Sequence, residues 1–212
     1  MNQTKVKLPF TDAEIEQLQK GHPVTDASVF LQDTVIKYTE AETLLGLELG
    51  SGFGIVSFML ALQKPGWQLE GIELFKELTD LAQENNLKLG IDCHFITGDI
   101  RDHKSLLKYR QYDLIYSNPP WCKMGDGKLS LDALRTAARH ETTCRMRDIM
   151  VCIDWCLKPG GTAWTIYPIE RKPDLERALL GTGLDVPGMI HSTDYPKSFI
   201  AKLVRKPAGK HW

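Results

Sequence analysis

The fold of this chain is decided by the stretch Leu44-Leu45-Gly46-Leu47-Glu48-Leu49-Gly50-Ser51-Gly52-Phe53-Gly54. Its first six residues are nearly all apolar, which is typical of a parallel strand buried on both faces. Glycines then alternate with other residues, and an apolar pattern with helical spacing runs from Ile55 to Leu62. Strand, glycine turn and helix in this order predict the first unit of an open α/β sheet, with a turn that lets the backbone approach a ligand.

This glycine turn differs from two well-known nucleotide-binding motifs. The dinucleotide motif G-x-G-x-x-G would need a glycine at position 55, where Ile55 stands. A P-loop would need Gly-Lys-Ser or Gly-Lys-Thr after the glycines, and that sequence does not follow. The turn therefore predicts a ligand site without specifying either kind of cofactor.

Apolar runs and helical patterns alternate through the rest of the chain. We predict strands at 67–72, 93–97, 112–117, 162–167, 184–191 and 198–204. We predict helices at 74–89 and 174–180, and a further helix between them that ends at Leu157. The last two strands have little sequence between them, so they should add an antiparallel edge to a mostly parallel sheet. The fold class expected is α/β, a Rossmann-like sheet of seven strands with helices on both faces.

The residues before the first predicted strand form a leader. Thr11 and Glu14 have the spacing of a capping box, which predicts a short helix to about Lys20. Asp26 would cap a second helix that runs through Ile36. We therefore divide the chain into a helical leader, residues 1–40, packed on a domain of residues 41–212.

Composition excludes several classes of protein. The chain has 212 residues, 42% of them hydrophobic, and no apolar run near the ~20 residues that span a bilayer. No secretory signal precedes the domain, and five cysteines without C-x-x-C spacing indicate reduced thiols in the cytoplasm. Cys152 and Cys156 share a helix face, which favours core packing over half of a metal site. We expect no membrane segment and no metal. The sequence does not indicate the oligomeric state.

Acidic side chains follow two of the predicted strands. Glu73 ends the second strand, 25 positions after Glu48, and is placed to accept both hydroxyls of a ribose. The alternative is that Glu73 caps the following helix, and it could do both. Asp99 follows the third strand, at the edge where open α/β sheets bind ligands, and we favour contact with an adenine N6 over a simple turn role.

The fourth predicted strand ends in Asn118-Pro119-Pro120-Trp121. A residue before proline is kept out of the helical region, and proline removes N–H donors while its carbonyl stays available. The result is a stiff tip that offers an amide, an unpaired carbonyl and an aromatic face. These groups suit a flat substrate that carries an NH2, although an ordinary turn would have similar residues.

Basic residues are concentrated after this tip, although the net charge is only −1. They include Lys123, Lys128, Arg135, Arg139, Arg145 and Arg147. A local basic surface on a neutral protein is compatible with a polyanionic substrate, and equally with a solvated helix face.

The order and spacing of Glu48-Leu-Gly-Ser-Gly-Phe-Gly54, Glu73, Asp99 and Asn118-Pro-Pro-Trp121 resemble the class I S-adenosylmethionine-dependent methyltransferases. The tetrapeptide is similar to the (Asn/Asp)-Pro-Pro-aromatic signature of the enzymes that methylate exocyclic or amide nitrogens. Further similarity to bacterial tRNA adenine-N6 methyltransferases acting on position 37 of valine tRNA lies in three segments, 21–31, 138–141 and 195–204. Trp121 differs from the Tyr or Phe usual in that family.

The resemblance implies a seven-stranded methyltransferase sheet, S-adenosyl-L-methionine as cofactor and RNA, most simply tRNA, as substrate. Catalytic positions would be Asn118, Pro119, Pro120 and Trp121. Cofactor-binding positions would be Glu48, Gly50, Ser51, Gly52, Gly54, Glu73, Leu74, Asp99, Ile100 and Asn118. Substrate-binding positions would be Trp121, Lys123, Arg135, Arg139 and His140.

Three alternatives stay open at this point. The same tetrapeptide serves release-factor methyltransferases, which modify a glutamine amide in a protein. Adenine in ribosomal RNA or DNA is a second class of target. A subunit that binds cofactor or RNA without catalysis is the third, and the presence of Asn118 speaks against it.

Overall fold

The structure is a computed structural model that describes residues 3–18, 25–119 and 144–206. Its strands are β1 (Gln3–Lys7), β2 (Glu14–Leu18), β3 (Leu44–Leu49), β4 (Trp67–Glu73), β5 (Cys93–Thr97), β6 (Tyr112–Ser117), β7 (Leu157–Pro168), β8 (Leu184–His191) and β9 (Ser198–Arg205). Its α-helices, numbered within the described residues, are α1 (Asp26–Tyr38), α2 (Ile55–Gln63), α3 (Lys76–Leu89), α4 (His103–Leu106), α5 (Met146–Cys156) and α6 (Lys172–Leu179). Short 3-10 turns occupy Ile100–Asp102 and Ile169–Arg171.

Seven strands form one sheet in the order β5-β4-β3-β6-β7-β9-β8. Neighbours from β5 to β7 are parallel, whereas β9 is antiparallel to both β7 and β8. The prediction of a mostly parallel sheet with an antiparallel edge is confirmed. Because β3 has β4 on one side and β6 on the other, the strand order reverses there, and the crevice for a ligand lies at the carboxyl ends of these strands.

Helices cover both faces of this sheet, as predicted. One face packs on α1, α2 and α3, and its core includes Phe30, Phe58, Phe95 and Tyr116. The opposite face packs on α5 and α6, and its core includes Leu49, Ile115, Met150 and Phe199. Successive residues of a strand point to opposite faces, so β6 sends Tyr116 to the first core and Ile115 to the second.

The prediction of a helix from Thr11 to Lys20 is wrong, because β2 occupies residues 14–18 and pairs antiparallel with β1. The Thr11 hydroxyl accepts the N–H of Ala13 in the hairpin turn instead of capping a helix. Alternation along β2 buries Ile15, and Asn85 of α3 binds both the N–H and the carbonyl of Glu16. Tertiary contacts therefore override the local capping pattern.

Other element boundaries shift by a few residues. Helix α1 is confirmed, but its N-cap is Thr25, whose hydroxyl accepts the N–H of Ser28, rather than Asp26. Helix α3 begins at Lys76 rather than 74, and Gly90 ends it as predicted. Strands β5 and β6 have the predicted bounds, and β7 begins at Leu157, well before the predicted 162.

The leader shares its core with the domain that follows. Leu8 and Ile15 of the hairpin, together with Phe30, Leu31 and Val35 of α1, belong to the same buried cluster as the sheet residues. The division after residue 40 stays a prediction. Within the described ranges, no helix combines the length and apolar character needed to cross a membrane.

Candidate functional site

The glycine turn after β3 forms an open cradle at the carboxyl edge of the sheet. Gly50 and Gly52 have φ angles of 71° and 56°, in the left-handed region that favours glycine. A Cβ atom built on either residue would meet no heavy atom of the described residues within 4 Å. The cradle therefore offers backbone with open space above it, which is what a closely held ligand needs.

Close packing fixes the base of this cradle. A Cβ on Gly54 would lie 2.7 Å from the ring of Phe58, so glycine is needed there for the turn to pack on α2. A Cβ on Gly71 of β4 would lie 2.9 Å from the side chain of Ser51. The hydroxyl of Ser51 is buried and finds no hydrogen-bond partner within the described residues.

Glu73 binds the cradle from the neighbouring strand. Its Oε2 accepts the N–H of Gly52 at 2.9 Å, and its Oε1 accepts the N–H of Phe75 at 3.0 Å. Burial raises the pKa of this carboxyl, while N–H donors from Phe75, Gly52 and Leu74 oppose the rise. Glu73 thus holds the glycine turn and the start of α3, and its predicted contact with a ribose stays a prediction.

Glu48 lies deeper, at the end of β3, with only 2% of its surface exposed. Its Oε2 accepts the N–H of Ser57 at 3.2 Å and the hydroxyl of Ser57 at 2.5 Å, and that hydroxyl lies 2.7 Å from the Tyr116 hydroxyl. Burial raises the pKa of Glu48 from 4.5 to about 8. Glu48 therefore holds the first turn of α2, and its role as a cofactor-binding position stays a prediction.

Asp99 follows β5, on the far side of β4 from Glu48, and has a different environment. Its carboxylate accepts the backbone N–H of Arg101 and the guanidinium Nε, each at 2.9 Å. Hydrogen bonds from Arg101 hold the pKa of Asp99 below its usual value. Ile100 beside it is buried, whereas Leu74 after β4 is 36% exposed.

Asn118 and Pro119 follow β6 at the same edge. The hydroxyl of Ser117 donates to the carbonyl of Leu49 at 2.7 Å, which fixes the end of β6 beside the end of β3. The Nδ2 of Asn118 donates to the hydroxyl of Ser28 on α1 at 3.3 Å. The structure thus brings the Asn118 tip and the glycine turn to neighbouring strand ends.

Some predicted site residues lie outside the described ranges. They are Pro120, Trp121, Lys123, Arg135, Arg139 and His140. Their predicted roles in stacking on the target and in binding the substrate stay predictions.

Sequence reasoning missed several residues that shape the site. They are Ser28, Ser57, Gly71, Arg101 and Tyr116. A usable signal existed for Ser57, because a hydroxyl in the otherwise apolar run 55–62 needs a polar partner. Ser28 and Tyr116 gave no local signal, since their partners are distant in sequence.

The cysteines of α5 belong to the core. Cys152 and Cys156 are fully buried, with their sulfur atoms 4.0 Å apart. Within the described part of the chain, no group of three or more His, Cys, Asp or Glu side chains is arranged to hold a metal ion.

A Rossmann-like sheet with a glycine cradle and two acidic strand ends defines a cofactor-binding α/β domain. The family model described as "Methyltransferase small domain" matches residues 24–143, more than half of the chain. The chain therefore belongs to the methyltransferase small domain family.

Three known proteins illustrate this membership. A tRNA1(Val) (adenine(37)-N6)-methyltransferase of Porphyromonas gingivalis is 32% identical over 133 residues, 61% of this chain and 51% of the relative. A release factor glutamine methyltransferase of Vibrio cholerae is 37% identical over 90 residues, 42% of this chain and 31% of the relative. The solved structure of a ribosomal protein L11 methylase from Lactobacillus delbrueckii subsp. bulgaricus shares the fold, with a TM-score of 0.64 and 16% sequence identity. The match covers 89% of this chain and 83% of that structure. The chain spans about half the length of the tRNA methyltransferases it matches.

Proposed function

We propose that this chain is an S-adenosylmethionine-dependent methyltransferase that methylates the exocyclic N6 amine of an adenine in RNA, with tRNA as the substrate. One observation carries the proposal. The Ser117 hydroxyl donates a hydrogen bond of 2.7 Å to the carbonyl oxygen of Leu49, which sets the Asn118 tip beside the glycine cradle. A methyl donor bound at the cradle and an amine bound at the tip would be neighbours. Family membership supports the same reaction class.

The residues present fit S-adenosylmethionine, which supplies a methyl group on a positively charged sulfur when bound. Gly50 and Gly52 leave open space where a ligand can lie against the backbone. Glu73 and Asp99 bring carboxylates to the ends of β4 and β5, where they would receive ribose hydroxyls and the adenine amine. Beside them, the proposal assigns contacts with the cofactor to Glu48, Ser51, Gly54, Leu74 and Ile100.

The target amine would be held by two oxygen atoms. Asn118 Oδ1 and the Pro119 carbonyl would accept its two N–H bonds, which turns the nitrogen lone pair toward the methyl group. Transfer would then follow by in-line displacement, and the protein's main contribution is alignment, worth up to roughly 7–11 kcal/mol. Trp121 would stack on the base for about 1–3 kcal/mol.

RNA is favoured as the substrate by the P. gingivalis relative, which is named for tRNA adenine methylation. The basic residues Lys123, Arg135, Arg139 and His140 would contact phosphates or place the target base. Arg147, also in this basic segment, has a structural role, since its Nη1 donates to the carbonyl of Ala178 at 2.7 Å. A cytoplasmic location goes with this substrate and with the buried thiols of Cys93, Cys152 and Cys156.

A glutamine amide in a protein is the second candidate target, because it too presents a planar NH2. The V. cholerae relative, named for glutamine methylation, favours this alternative over 90 matched residues. Adenine in ribosomal RNA or DNA and a binding subunit without catalysis are the remaining alternatives.

Transfer of a radiolabelled methyl group from S-adenosylmethionine onto total RNA and, separately, onto total protein tests these candidates. We expect label in the RNA fraction that ribonuclease removes, and N6-methyladenosine after digestion to nucleosides. Separated tRNA, ribosomal RNA and DNA then identify the nucleic acid. Label in protein would favour the glutamine reaction, and no label in any fraction would overturn the proposal of catalysis.

A further inference from the structure

Two polar contacts in series connect the N-cap of α1 to Asn118, and a third joins the N-cap residue to the backbone of the same helix. Asn118 Nδ2 donates to Ser28 Oγ at 3.3 Å, and Ser28 Oγ lies 3.1 Å from Thr25 Oγ1. Thr25 is the N-cap of α1 and accepts the backbone N–H of Ser28 at 3.2 Å. The first turn of α1 therefore fixes the group that binds the Asn118 amide.

We propose that Ser28 is a positioning residue that sets which end of the Asn118 amide faces the target amine. This inference rests on the proposed function. The orientation of the amide matters because a substrate NH2 can donate to the amide oxygen but not to the amide nitrogen. With Nδ2 bound to Ser28, Oδ1 is left to accept an N–H of the target. With the amide reversed, Nδ2 would face the amine and either oppose its N–H groups or occupy the lone pair needed for transfer.

The proton count of Ser28 supports this assignment. A serine hydroxyl has one proton and two lone pairs. Either hydroxyl can be the donor in the contact between Ser28 and Thr25, and in both cases Ser28 Oγ keeps a lone pair that can accept from Asn118 Nδ2. Ser28 is 6% exposed, so water does not readily replace this bond.

The two residues directly after Asn118 cannot hold its amide oxygen through a backbone N–H. Pro119 and Pro120 have no backbone N–H, so neither can donate to the amide oxygen. Within the described residues, Asn118 Oδ1 has no hydrogen-bond donor, whereas Nδ2 has Ser28. Orientation at this tip therefore comes from a residue 90 positions away in sequence.

Three variants of the full chain separate positioning from simple stability. Ser28→Ala removes the acceptor, Ser28→Thr keeps a hydroxyl, and Thr34→Val removes another buried hydroxyl from the same helix as a control. We expect Ser28→Ala to lower kcat about tenfold, the equivalent of one hydrogen bond, with the KM for S-adenosylmethionine unchanged within about twofold. Ser28→Thr should restore most of kcat, and Thr34→Val should leave it unchanged. An unchanged kcat in Ser28→Ala, or an equal loss in Thr34→Val, would overturn the inference.

A second measurement does not need activity. The side-chain NH2 resonances of Asn118, assigned by their loss in Asn118→Ala, should shift in Ser28→Ala and stay in place in Thr34→Val. If the wild-type chain methylates neither RNA nor protein but the resonances shift as expected, the proposed function fails while the contact from Ser28 to Asn118 stands. If the wild-type chain is active and the resonances do not respond to Ser28→Ala, the positioning role fails alone.

Discussion

Two halves of the candidate site are fixed by different kinds of contact. In the cofactor half, formed by the ends of β3 and β4, the buried carboxyl groups of Glu48 and Glu73 accept backbone N–H groups of Ser57 and Gly52. In the target half, formed by Asn118 and Pro119, the amide is bound by the Ser28 hydroxyl of α1. The cofactor half is thus held by buried carboxyl groups that accept backbone N–H groups, whereas the target half depends on one side-chain hydroxyl of α1.

The carboxylates of the carboxyl edge show a second contrast. Burial raises the pKa of Glu48 to about 8, whereas hydrogen bonds from Arg101 lower the pKa of Asp99. Two strand ends, separated by β4, therefore carry acids whose pKa values move in opposite directions, because one loses water and the other gains a cation. Four substitutions test these contrasts.

Asn118→Ala should have the largest effect. Loss of a positioned polar group at a reacting centre costs roughly 10²–10³ in kcat, and the affinity for S-adenosylhomocysteine should stay within about twofold because the cradle is untouched. Steady-state methyl transfer and calorimetric titration measure the two quantities. Parallel loss of cofactor affinity and turnover would show that the two halves are not independent.

Gly52→Val should break the cofactor half and leave the target half intact. A β-branched residue at a φ of 56° is strained by roughly 1–3 kcal/mol, and its side chain would enter the open cradle. We expect a loss of at least about tenfold in affinity for S-adenosylhomocysteine, with the Asn118 NH2 resonances in place. Gly188→Ala in β8, where a Cβ also meets no atom of the described part of the chain within 4 Å, is the matched control. Wild-type affinity in Gly52→Val would place the cofactor elsewhere.

Glu48→Gln should change how stability depends on pH. The folded protein holds the Glu48 proton with a pKa of about 8, against 4.5 for an ordinary glutamate, so the folded state binds more protons between these values. The stabilisation is fully present below pH 4.5 and is lost as pH rises through about 8, at about 1.4 kcal/mol for each unit of difference.

Urea unfolding at pH 5, 6.5, 8 and 9 measures this effect. The free energy of unfolding of the wild type should fall relative to Glu48→Gln across that series, and exposed Glu84→Gln serves as the control. Parallel curves for wild type and Glu48→Gln would mean that Glu48 is ionised in the folded state.

Arg101→Gln should have the smallest effect. It concerns stability at low pH, whereas Glu48→Gln concerns stability at high pH. Without the guanidinium, the pKa of Asp99 should rise toward its usual value, so the stability that Asp99 adds above its unfolded pKa is lost sooner as pH falls. Cofactor affinity at neutral pH should change by less than about fivefold, as for other exposed pairs. NMR titration of the Asp99 carboxyl measures the shift, and an unchanged titration would assign the lowered pKa to another donor.

Sequence reasoning was accurate where the signal is local. Strands β5 and β6 begin and end at the predicted residues because apolar runs with turn residues on both sides define them. It failed at residues 11–18, where a capping pattern at Thr11 predicts a helix but pairing with β1 and contacts with Asn85 produce a strand. The alternation of Glu14, Ile15 and Glu16 also fits a strand.

The candidate site shows the same limit. Positions such as Gly52, Glu73 and Asn118 could be found because their spacing follows the strand ends. Their partners could not, because Ser28 lies 90 residues from Asn118, and Ser57 lies 59 residues from Tyr116. Such contacts depend on how helices pack on the sheet, which a single sequence does not encode in any short pattern.

The buried hydroxyl of Ser117, donating to Leu49, has a consequence for how substrates enter and leave. Adjacent strands are held about 4.8 Å apart along the whole sheet, and this extra bond keeps that spacing up to the point where the loops begin. This hydrogen bond therefore opposes separation of the Asn118 tip from the glycine cradle. We expect a macromolecular substrate to enter, and the spent cofactor to leave, without separation of these two strand ends.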